Sequence, residues 1–140
     1  MSDTIVTFAG NLTADPDHRF TPTGKQVTVL RVAVNRRRKI AEGKYEDGTP
    51  TFHRVEAWNS LGENVTESLS KGDRVVVIGR LTTDTWDKDG DTQYGTKVTA
   101  DVVAADLQFA KVAITKTRRN GAEEVPAPGD EDAPLEDYAA

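Results

Sequence analysis

Residues 52–81 read FHRVEAWNSLGENVTESLSKGDRVVVIGRL, and within this stretch the apolar period changes twice. Phe52–Trp58 alternates as a strand does, and successive strand side chains point to opposite faces. His53, Val55 and Ala57 then share one side, the candidate for the core. Phe52, Arg54, Glu56 and Trp58 share the other. Next, Leu61, Val65 and Leu69 recur at four-residue spacing, which predicts a helix. Ser60-Leu61-Gly62-Glu63 predicts a capping box at its start, and Lys71-Gly72 a stop signal at its end. Arg74–Leu81 returns to a β-branched run, a strand again.

The same reading extends outward. Thr4–Gly10 and Gln26–Asn35 alternate as strands, separated by a polar stretch with a turn signal at 21–24 (TPTG). A loop holding Gly43 and Asp47-Gly48 joins the second strand to the strand Thr51–Trp58. Thr82–Trp86 extends the fourth strand or begins the next, Asp89-Gly90 marks a turn, and Tyr94–Phe109 supplies the fifth strand. Three strands, one short helix and two strands give an all-β class. The order is that of an OB-fold, a five-stranded Greek-key barrel with its helix between strands 3 and 4, though other small barrels share most of it.

The formal charge of the 140 residues is −5, and it is unevenly spread. Gly121–Ala140 (GAEEVPAPGDEDAPLEDYAA) holds seven of the 23 acidic residues and none of the 18 basic ones, so the rest of the chain is +2. That tail has no apolar period and is expected to be disordered. The expected division is a domain over 1–112 and a flexible acidic tail over 113–140. The chain has no cysteine, and only His18 and His53 offer imidazole, which argues against thiolate or histidine-rich metal sites. No apolar run reaches membrane-spanning length and no secretory leader is legible, so a soluble, cytoplasmic protein without membrane contact is expected. No phosphate-binding loop or nucleophile–base spacing appears. We expect no enzyme, no catalytic residue, no metal and no cofactor.

The outward row of the opening strand is the informative feature. Phe52 and Trp58 would stand about 20 Å apart at ~3.3 Å per residue, with Arg54 between them. Burying that row instead would bury the Arg54–Glu56 charge pair, which is costly unless the geometry is very good. Exposed rings beside cations suit unpaired nucleotides, whose bases stack and whose phosphates pair with Arg and Lys. Trp86, just before the Asp89-Gly90 turn, either stacks in the same way or packs on the barrel rim. Arg36-Arg37-Arg38-Lys39 is the densest positive run, and Arg54, Lys71, Arg74 and Arg80 are candidates to continue it. His53, on the core side, reads as a structural histidine.

GNLTADPDHRFTPTGKQVTVLRVAVNR (10–36), the stretch 52–81 and TTDTWDKDG (82–90) resemble the bacterial single-stranded DNA-binding protein family, in particular its actinobacterial members and their phage relatives. The resemblance covers residues 3–109. It implies a homotetrameric OB-fold that wraps single-stranded DNA in replication, recombination and repair, nucleoid-associated and performing no chemistry. Phe52, Trp58 and Trp86 fall on the family's stacking positions, and Arg54 and Lys71 on its basic contacts. Arg38 falls where many relatives carry another aromatic. Asp84 and Ser60 stand where a basic residue is frequent. The chain ends PLEDYAA rather than in the family's Pro-Phe tip, which puts recruitment of replication and repair proteins in doubt, with Tyr138 the one candidate anchor. DNA over RNA rests on the resemblance alone. The acidic tail is expected to compete with DNA for the basic groove, so deletion of 121–140 should tighten binding at low salt.

Overall fold

The alternating segments close on one another in the computed structural model, which describes residues 2–117. The barrel strands are β1 (Thr4–Leu12), β3 (Gln26–Val34), β6 (Thr51–Trp58), β7 (Arg74–Lys88) and β8 (Asp91–Ala105). Helix α1 (Asn59–Ser68) follows β6. The sheet runs β1-β7-β8-β6-β3, and β1 reaches across to β3 through Asn11↔Ala33 and Leu12↔Val32. That last pairing closes the sheet into a barrel at the end of β3 and leaves the start of β3 as an open edge. β6 meets β8 in parallel at Val55↔Val98 and Glu56↔Thr99, while the other barrel pairs are antiparallel.

Inside lie Leu30, Val32, Val55, Val75, Val77 and Val98, all without solvent exposure, closed below by Leu12, Val65 and Ala100. Burying such a side chain is worth about 1.5–3 kcal/mol relative to leaving it in water. Val55 and Ala57 face this core, as the alternation of residues 52–58 requires.

Three departures from the sequence reading have physical causes. First, the polar stretch contains β2 (Asp17–Phe20), which adds to the edge of β3 by backbone pairing, Asp17↔Val29 to Phe20↔Gln26. Second, the expected loop after β3 is a hairpin of β4 (Arg37–Ala41) and β5 (Lys44–Asp47). Third, no side chain caps α1. Its N-cap is Trp58, Ser60 lies inside the helix, and the last turn carries no basic residue. Asn59, at φ +55°, makes the sharp exit from the strand and starts the helix early. Docking then replaces capping: Thr28 Oγ1 donates to the Gly62 carbonyl at 2.9 Å, and Thr66 Oγ1 donates to it at 2.8 Å. A Cβ on Gly62 would collide with the Ala57 carbonyl oxygen, so glycine lets the helix approach β6 this closely.

β7 and β8 outrun the barrel as a two-stranded arm. Its tip is the two-residue turn Asp89-Gly90, with both residues at positive φ (53° and 85°), the geometry that matches strand twist. The barrel unit comprises Met1–Ala110, and the described residues 111–117 beyond it are neither helix nor strand. The segment expected to be disordered, Gly121–Ala140, lies outside the described residues, and with it the PLEDYAA end and Tyr138.

Candidate nucleic-acid interface

The outward side of β3 and β6 is built from four registered pairs: Ala33↔Phe52, Arg31↔Arg54, Val29↔Glu56 and Val27↔Trp58. Val27 and Val29 are nearly buried although they point away from the core, at 8% and 5% exposure. They form an apolar floor under the Trp58 end, where Arg19↔Val27 and Asp17↔Val29 bring β2 alongside. Trp58 is half-buried and borders an open cleft of about 430 Å³ with Thr21, Thr23, Lys25 and Asn59. Phe52, at the other end of the row, is 67% exposed.

The row continues onto β8 and β7. Glu56↔Thr99 places Thr99 and Lys97 beside it, and Thr99↔Arg80, Lys97↔Thr82, Gly95↔Asp84 and Gln93↔Trp86 carry the same side along the arm. Trp86 therefore shares the outward side with Phe52, Arg54 and Trp58. It is 49% exposed, and the edge of its indole abuts Gly95: a Cβ there would come within 2.9 Å of the ring. Glycine at 95 leaves room for the outer edge of the six-membered ring, whose Cη2 and Cζ3 are the atoms a Cβ would strike. Trp86 stands on the arm beside Gly95, about half exposed.

Charge on this side is more balanced than the Arg and Lys positions suggest. Arg54 pairs with Glu56 at 3.5 Å, and Lys97 pairs with Glu56 and Asp84, each at 3.3 Å. Burial works against the Lys97 ammonium, but its hydrogen bond to Asp84 and the nearby Glu56 charge outweigh that and hold its pKa above the ordinary lysine value. Arg80 pairs with Asp101 at 3.4 Å.

The remaining predicted cations are dispersed. Arg37, Arg38 and Lys39 lie on β4, opposite Asp47, Glu46 and Tyr45. The Arg37 guanidinium sits 5.2 Å from the Tyr45 ring centre, and Lys39 pairs with Glu42 at 3.2 Å. Lys71 is in the turn after α1, where its backbone N–H donates to Asp15 at 2.8 Å, off the β3–β6 row. Arg74 pairs with Asp106 at 2.7 Å and lies opposite Asn11 on the β1 side. His53 faces inward and stacks on Phe8, ring centres 4.2 Å apart, and burial lowers its pKa below 6.5.

Sequence reasoning missed Arg31, Lys97, Gly95 and the Val27–Val29 floor. The Asp89-Gly90 turn held the signal for two of them. A two-residue turn fixes hairpin register, which sets Gly95 opposite Asp84 and Lys97 next along the same side.

Among the described residues no group of three or more His, Asp or Glu side chains is arranged to hold a metal ion. The family model described as "Single-strand binding protein family" matches residues 3–110. A single-stranded DNA-binding protein of Corynebacterium glutamicum is 41% identical over 123 residues, which cover 86% of this chain and 55% of that protein. This chain thus spans about half of that relative's length. One from Mycolicibacterium smegmatis is 38% identical, over 85% of this chain and 73% of its own. Among solved structures, a small single-stranded DNA-binding protein from Streptomyces coelicolor superposes with a TM-score of 0.66 at 29% identity, covering 76% of this chain and 97% of that one.

Proposed function

The chain belongs to the single-strand binding protein family, and on that premise we propose that it coats single-stranded DNA without sequence preference during replication, recombination and repair. One observation carries the reading: Phe52, Trp58 and Trp86 share one outward side with Arg31, Arg54 and Lys97, and two of the three rings stand about half or more exposed. Bases stack on the rings and phosphates meet Arg54, Arg80 and, from the β4–β5 hairpin, Arg37, Arg38 and Lys39. Lys71 serves strand segments leaving the face. Base–aromatic stacking contributes ~1–3 kcal/mol per base, a range measured on single-strand binders of this fold. The protein performs no chemistry on its ligand, acts in the cytoplasm on the nucleoid, and uses 113–140 as an acidic appendage.

The protomer assembles as a homotetramer. Ile5, Thr7 and Ala9 on β1 register with Arg80, Ile78 and Val76 on β7, and Ile78 and Val76 with Val102 and Ala104 on β8. The result is an aliphatic outward patch, with Ile5 59% and Val102 44% exposed in the single chain. A second copy is the occupant this patch suits.

Titration with oligo-dT of increasing length, followed by sedimentation, tests both statements at once. A complex of four protomers per long oligonucleotide, with affinity falling steeply as salt rises, is the expected result. Folded protein that sediments alone at low salt would overturn it. The paired acids Glu56, Asp84 and Asp101 favour a second reading, an OB-fold scaffold for another protein, and the same titration separates the two.

A further inference from the structure

Four charges meet in the middle of the outward side. Glu56 is 7% exposed and sits between Arg54 and Lys97. Its Oε1 is sealed from water and has the Lys97 ammonium at 3.3 Å, an ion pair rather than a directed hydrogen bond. Asp84 completes the set from β7, also 3.3 Å from the ammonium, but its side chain is 47% exposed. The two carboxylates are therefore unequal. Glu56 is locked in place, because leaving it without a cation would strand a buried charge. Asp84 can turn into solvent at little cost, since a half-exposed pair is worth little.

Lys97 also sits where a phosphate would pass. It is two residues along β8 from Gly95, which the edge of the Trp86 ring abuts, a step of ~6.6 Å on the same side. A nucleotide stacked on Trp86 brings its backbone past this ammonium. A phosphodiester carries the same single negative charge as a carboxylate and accepts from an ammonium equally well.

We propose that Lys97 is a phosphate-binding residue of the single-strand path and that Asp84 holds its place until a phosphate displaces it. The inference rests on the reading of this side as the DNA site. Asp84 then acts as an internal competitor, weakening binding at low salt and flattening its salt dependence, because the freed carboxylate takes up a cation as the DNA releases one.

Asp84→Asn removes the competing charge and keeps the side-chain shape. Oligo-dT should bind this variant about two- to five-fold tighter at low salt, with the plot of log affinity against log salt steeper by up to ~0.7. Lys97→Gln should weaken binding and flatten the slope by a similar amount. In the double variant the gain from Asp84→Asn should vanish. Asp87→Asn serves as control, since Asp87 pairs with Thr92 out of phase with Asp84 and so lies on the other side of the arm. Unchanged affinity and slope in Asp84→Asn, or an equal gain in Asp87→Asn, would overturn the proposal while leaving the DNA-site reading intact. Failure of the unsubstituted protein to bind oligo-dT would overturn both. A thermal melt of each variant confirms folding, and the Asp84→Asn arm decides the matter even if Lys97→Gln unfolds.

Discussion

The barrel wears two different coats. On the β3–β6 side and along the arm, the outward residues are rings set among paired charges: Phe52, Trp86, Arg54, Lys97. On the β1–β7 side they are aliphatic: Ile5 and Val102, exposed, with the half-buried Ile78 between them. Both sides belong to one continuous sheet, and a bulge on β8 at Asp101, opposite Ile78 and Gly79 of β7, separates them. Skipping one residue there reverses which side chains point out, so Thr99 and Lys97 face outward before it and Val102 and Ala104 after it. One sheet can thus offer a stacking surface to nucleobases and a packing surface to another protomer.

The largest effects should separate the two coats. Combined Trp58→Ala and Trp86→Ala removes two rings, and should cost oligo-dT binding ~1–3 kcal/mol for each base that loses its partner. Sedimentation of the free protein should be unchanged. Ile78→Lys should do the reverse: it puts a charge into the aliphatic patch, so the assembly should sediment as smaller species while each barrel still quenches its tryptophans with DNA. Should both substitutions damage both properties alike, the two coats would not be independent.

Smaller effects probe how the platforms are held. Gly62→Ala forces α1 away from the Ala57 carbonyl and should lower unfolding stability by about 1–3 kcal/mol in denaturant titration. Gly95→Ala should push the edge of the Trp86 indole away from β8, weakening its quenching by DNA while the thermal melt hardly moves. The smallest effect concerns His53. Its folded-state pKa is below 6.5, so the unfolded chain binds the proton more readily. Stability present above pH 6.5 should therefore fall as pH drops through the folded pKa, and His53→Gln should flatten that acid limb.

Much of this arrangement was legible in residues 52–81. The phase of Phe52–Trp58 follows from alternation alone, because Phe52, Arg54 and Trp58 are separated by even numbers and cannot be parted by any shift. The β4–β5 hairpin was not legible: seven of the eleven residues in Arg37–Asp47 are charged, and its pairing is set by backbone bonds and the Gly43 turn rather than an apolar period. β2 escaped for the same reason, since Asp17–Phe20 has no apolar face and forms by adding to β3. The expected capping box failed because docking through Thr28 and Gly62 settles the helix start, a contact between residues 34 apart. The ion pairs on Lys97 depend on register across the arm, which composition does not display. Isolated cations were easy to see in the sequence, and their partners were not.

The central claim is that the rings on the outward side meet nucleobases, and intrinsic fluorescence reads this directly because Trp58 and Trp86 are the two tryptophans in the chain. Adding oligo-dT at low salt to the full-length protein should quench emission saturably, with part of the quenching lost in Trp58→Phe and part in Trp86→Phe. Saturable binding detected by sedimentation with no change in tryptophan emission would contradict the account.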